Sequence, residues 1–129
     1  MSAMSPKVQN QIMQLQQVQQ QLQTVLSQKA QYEIEIRETR RADEELADLP
    51  ADATVFQSVG TVMMQKPKDA VQASLKEKVE TLELRVKQLE RQEQMLQSRF
   101  ETLQNQVKQA LEGGGAGGPA PLGGGPSAA

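Results

Sequence analysis

The chain has 129 residues, 14 Lys and Arg against 16 Asp and Glu, and a net charge of −2. That balance excludes the concentrated positive charge of a protein whose main ligand is a nucleic-acid backbone. Aromatics amount to 2 % (Tyr32, Phe56 and Phe100) and hydrophobics to 37 %, which disfavours a thick globular core. The absence of Cys and His removes disulfides, thiolate chemistry, the commonest general base and the commonest transition-metal ligand.

In chain order, residues 1–6 read as an N-terminal extension that ends in a helix-entry signal, Ser5-Pro6. Serine caps orphan backbone N–H groups, and proline fits the first turn, where its missing N–H is not needed. Residues 7–49 contain no Pro or Gly, so a long first helix is expected. With Val8 at heptad position a, the a and d positions are Val8, Gln11, Leu15, Val18, Leu22, Val25, Lys29, Tyr32, Ile36, Thr39, Asp43 and Leu46. Eight of these twelve are apolar, the pattern of a coiled-coil seam. Pro50 disfavours helix in the residue before it and ends the segment.

Residues 54–66 change character: Thr54, Val55, Phe56, Val59, Thr61 and Val62 are β-branched or aromatic. Gly60 is the only glycine before the C-terminal segment, placed where a tight turn requires positive φ. Two short strands are expected, near Thr54–Ser58 and Thr61–Lys66. A lone two-stranded hairpin is marginal in water, and one chain cannot satisfy both of its edges. Val55, Phe56, Val59, Gly60, Val62, Met63 and Met64 are therefore read as an oligomer interface, in preference to a hairpin folded back on its own helices.

Residues 68–112 form the second helix, with Asp69 and Gln72 at capping-box spacing. Here the a and d positions are Gln72, Leu75, Val79, Leu82, Val86, Leu89, Glu93, Leu96, Phe100, Leu103, Val107 and Ala110, ten of twelve apolar. Residues 113–129, rich in Gly, Pro and Ala, are expected to form a disordered tail, since they offer little apolar area against their ordering entropy. The expected fold class is all-α dominated: an antiparallel two-helix coiled coil with one small β-hairpin between the helices. The chain termini then lie at the end remote from the hairpin. Reversal brings the charged seam residues Lys29 and Glu93 to nearly the same height.

The order helix, single hairpin, helix, with VFQSVGTVMMQKPKDA followed by LKEKVETLELRVKQLERQEQMLQSRFETLQ, resembles the β class of prefoldin subunits, the archaeal type in particular. The residues that carry the likeness are Val55, Val59 and Gly60, then Leu82, Glu83, Arg85, Leu89, Glu90, Gln92 and Glu93, and it covers about residues 6 to 112. The resemblance implies a hexamer of two α-type and four β-type subunits. In such a hexamer the hairpins build a β-barrel body and the coiled coils hang from it. It further implies capture of nonnative polypeptides without ATP and delivery to a group II chaperonin. The Gly-rich C-terminal segment departs from that pattern.

Seam residues are core first. Candidates for binding unfolded protein are apolar groups near the open end: Ile12, Met13 and Leu111, off the seam, and Val8, Leu15, Leu103 and Val107, made accessible by fraying. The bland alternative is scattered surface hydrophobics. The Gln-dense stretch Gln14 to Gln23 is read as a solvated helical face, and Asp43, Glu44 and Glu45 as a charge run whose side chains diverge too far to hold a metal. No phosphate loop, no nucleophile with a base and no carboxylate pair suggests an enzyme, and no cofactor is expected. The lack of a signal peptide or membrane span leads to a cytoplasmic expectation, with neither membrane nor nucleic acid as partner. The competing function is a structural coiled-coil scaffold or spacer bound to one fixed partner.

Overall fold

The computed structural model describes residues 4–115. Its elements are α1 (Pro6–Ala47), β1 (Val55–Val59), β2 (Val62–Lys66) and α2 (Lys68–Gly115). The Gly-rich segment from residue 116 onward, expected as a disordered tail, lies outside the described residues, as do residues 1–3.

The start of α1 follows from Ser5. Its Oγ accepts from the Val8 N–H (3.2 Å), and its carbonyl accepts the first helical bond from Gln9 (3.0 Å). Pro6 therefore occupies the first helical position, as Ser5-Pro6 predicts. α1 stops at Ala47, two residues before the expected end. The chain tightens there into bonds between residues three apart, Asp48 to Glu45 and Leu49 to Leu46. Lys68 donates to the carbonyls of Ala47 (3.4 Å) and Leu49 (2.6 Å), so the residue that opens α2 also caps the end of α1.

α2 begins at Lys68, the expected first residue, and Asp69 is not its cap. Pro67 supplies the first accepting carbonyl, to Ala70 and Val71, and Asp69 sits inside the first turn. Its carboxylate still favours the positive end of the helix from there. At the other end α2 continues through Gly115, beyond the expected stop at 112.

The chain divides into two compact units. One comprises residues 1–25 and 92–129, the other residues 26–91. In the unit of residues 26–91, α1 and α2 segments pack antiparallel and the hairpin sits between them in sequence. Ile36, Leu82, Val71 and Val55 are buried, and so is Thr39, whose hydroxyl donates to the Glu35 carbonyl at 2.7 Å. Ion pairs cross the seam: Lys29 to Glu90 (3.4 Å), Lys78 to Glu35 (3.3 Å) and Arg40 to Glu83. The seam lysine thus meets the Glu90 carboxylate of the facing helix. Arg85 lies over the Tyr32 ring, 5.8 Å from its centroid. In the other unit Val8, Val18, Val25, Leu103 and Val107 are buried, and Val18 is the most enclosed. In each unit every predicted a and d position is at least half-buried.

Candidate functional site

Two regions hold apolar groups that the chain leaves uncovered. The first is the hairpin. Its register pairs Val55 with Lys66, Phe56 with Gln65, Gln57 with Met64, Ser58 with Met63 and Val59 with Val62. Gly60 and Thr61 form the two-residue turn, and Gly60 has φ of 61°. Hairpin-compatible turns demand positive φ at that first position. Because side chains alternate across a strand, Val55, Gln57, Val59, Val62, Met64 and Lys66 share one face, and Phe56, Ser58, Met63 and Gln65 the other. Only the base of the first face is docked: Val55 is buried, and Gln57 Nε2 donates to Ser74 Oγ on α2 at 3.1 Å. Toward the turn, Val59, Val62 and Met64 are exposed, and on the opposite face Phe56 and Met63 are 54 % and 63 % exposed.

Among the described residues the sheet has two strands, so each has one unpaired edge. Antiparallel alternation points the backbone groups of Phe56 and Ser58 outward along β1 and those of Met63 and Gln65 outward along β2. The predicted interface residues are thus assembled on one element. Val55 differs from the rest, since it anchors the hairpin to its own helices. A shallow groove of about 650 Å³ beside β1, lined in part by Leu46, Leu49, Phe56, Val71 and Leu75, extends the apolar surface.

The second region is the unit of residues 1–25 and 92–129. Of the seven residues predicted to meet unfolded chains, Met13 and Leu111 are 60 % and 48 % exposed. Ile12 and Leu15 are half-buried. Val8, Leu103 and Val107 are buried against the facing helix. Their a and d positions put them in the seam. Two features were not foreseen. Met95, at position c, is 70 % exposed, and Gln11, at position d, has a buried amide oxygen with no hydrogen-bond donor. Both were visible as residues out of keeping with their heptad position.

The model of the family described as "Prefoldin subunit" matches residues 9–114. A prefoldin subunit beta of Methanosphaerula palustris is 70 % identical over 114 residues, which cover 88 % of this chain and 94 % of that protein. The chain belongs to the β class of the prefoldin family of chaperone subunits. Similarity to other prefoldin β subunits is consistent: that of Methanospirillum hungatei is 57 % identical over 113 residues, covering 88 % of this chain and 94 % of that one. The crystal structure of the prefoldin beta subunit from Thermococcus strain KS-1 superimposes with a TM-score of 0.78 at 43 % identity, covering 86 % of this chain and 97 % of that one. The prefoldin fold expected from the sequence, two long helices with one hairpin between them, is the fold observed. Among the described residues no helix is long and apolar enough to cross a membrane.

Proposed function

We propose that this chain is one subunit of an ATP-independent holding chaperone of the cytoplasm. Its hairpin joins those of an α-type partner and further β-type copies, in a hexamer of two α and four β. The open ends of the helices bind nonnative polypeptides and pass them to a group II chaperonin. The observation that carries this reading is the hairpin: exposed apolar groups on both faces, and backbone groups unpaired on both edges. Completing such a sheet with neighbouring strands satisfies the edges and covers the apolar groups together.

At the open end, Met13 and Leu111 offer apolar contact on a helical backbone whose hydrogen bonds are already made. Contacts of this kind are individually weak and poorly directional. They suit varied client segments when several ends act at once, because linked sites multiply the avidity. Methionine adapts to differently shaped partners.

The test uses the full chain mixed with a two-hairpin α-type partner. Reduced, guanidine-unfolded lysozyme is diluted into the mixture without nucleotide, and aggregation is followed by light scattering. The mixture suppresses aggregation. Deleting Met1–Met13, or the residues after Phe100, abolishes suppression and leaves the assembly mass unchanged except for the missing residues. Undiminished suppression by both deletions refutes the open-end mechanism.

A further inference from the structure

The sequence has six methionines and no Cys, Trp or His, so thioethers are its readily oxidised side chains. Five lie among the described residues, Met4, Met13, Met63, Met64 and Met95, and every one is exposed. Methionine ordinarily ranks with the buried residue types, yet here the buried apolar positions are Val, Leu and Ile. Two of the five are consecutive on β2. Alternation along the strand puts Met63 on the face that carries Phe56 and Met64 on the face that carries Val59 and Val62. Each apolar face of the hairpin therefore has its own oxidisable group, and a neighbour that covers either face lies against a thioether.

Hydrogen peroxide converts a thioether to a sulfoxide. The sulfur lone pair attacks one peroxide oxygen, an S–O bond forms as the O–O bond breaks, sulfur loses two electrons, and the other oxygen leaves as water. The product is polar, and burying it against an apolar neighbour without a donor is penalised. The coil is indifferent to the change, because no described methionine is buried in it. We propose that Met63 and Met64 are a modification site that governs assembly. Peroxide oxidises the free subunit on both faces of its hairpin and bars it from the complex. A methionine sulfoxide reductase reverses the step: two thiols supply the electrons, become a disulfide, and the oxygen leaves as water. Assembly covers the thioethers, so the site acts on subunits that have not yet joined. The inference rests on the reading of the hairpin as the assembly surface and adds a chemical control to it. Leucine would supply comparable apolar area without this reactivity.

The test treats the full chain alone with hydrogen peroxide, removes the excess with catalase and only then adds an α-type partner. Peptide mass spectrometry locates the added oxygens, circular dichroism reads the helices, and size-exclusion chromatography with light scattering reads assembly. The helices are unchanged, and the concentration needed for half-assembly rises about tenfold or more. Methionine sulfoxide reductase with a thiol reductant restores assembly. Met63→Leu with Met64→Leu still assembles after the same treatment, although its remaining methionines are oxidised. Met4→Leu with Met13→Leu and Met95→Leu leaves the hairpin untouched and loses assembly on oxidation as the wild type does. Undiminished assembly of the oxidised wild type, or of that oxidised triple variant, overturns the proposal. The same result beside failed assembly of Phe56→Asp with Met63→Asp sinks this inference alone. If that double variant also assembles, the hairpin reading falls as well.

Discussion

The hairpin and the open end of the coil both show apolar side chains to solvent, but their backbones differ. In the hairpin, Phe56, Val59, Val62, Met63 and Met64 stand on strands whose outer N–H and C=O groups have no partner in the sheet. Whatever covers these side chains must also present a strand in matching register, so the surface is selective. At the open end, Met13 and Leu111 stand on helices whose backbone groups bond within the helix. A partner there needs only apolar area, so the surface is permissive. The same solvent-exposed chemistry thus divides into assembly and capture according to what the backbone still lacks.

The largest effect expected from breaking this contrast is at the hairpin. Phe56→Asp with Met63→Asp, both more than half-exposed on the second face of the hairpin, abolishes assembly with an α-type partner. The helical circular dichroism of the isolated chain stays intact, because neither residue belongs to the buried seam. Size-exclusion chromatography with light scattering reads the loss as subunits that elute apart.

A smaller effect is expected within α2. Leu82 is buried in the seam and Leu84, two residues on, is 62 % exposed. Leu82→Ala lowers stability by about 2–5 kcal/mol through lost burial and an unfilled cavity. Leu84→Ala stays within about 0.5 kcal/mol. Urea unfolding followed by circular dichroism separates the two, and equal costs would show that the seam has been assigned to the wrong face.

Smaller still is the turn. An added Cβ at Gly60 meets no atom within 4 Å, so Gly60→Ala tests backbone conformation alone. Holding alanine at a φ of 61° costs roughly 1–2 kcal/mol. The cost appears as weaker assembly, read from the protein concentration at which the complex dissociates. The smallest change is at Ser5. Ser5→Ala removes the Oγ that accepts from Val8 and costs about 1 kcal/mol. It shows as faster amide exchange confined to the first turn of α1.

Much of this was legible in the sequence for definite reasons. The seam follows from heptad spacing, and every a and d position from Val8 to Ala110 is withdrawn from solvent. Ser5-Pro6 and Gly60 act through local backbone chemistry, which needs no tertiary context. The element ends were less legible. α1 stops at Ala47, two residues early, where Lys68 donates to the carbonyls of Ala47 and Leu49 across 19 to 21 positions of chain, a contact no local pattern encodes. Residues 113–115 continue α2 because a propagating helix tolerates a glycine at about 1 kcal/mol each.

At the candidate client site the heptad itself places Val8, Leu103 and Val107 in the seam, where they are buried. The orphaned Gln11 oxygen depends on what faces it from α2, and spacing along one helix does not specify that.

The most direct measurement of the central claim is the native mass of this chain, alone and mixed with a two-hairpin α-type partner, across a concentration series. A hairpin left unfinished by its own chain predicts a mixed hexamer that forms only when the partner is present. A compact monomer at every concentration, unaffected by the partner and with the outward amides of Phe56, Ser58, Met63 and Gln65 protected from exchange, would contradict it.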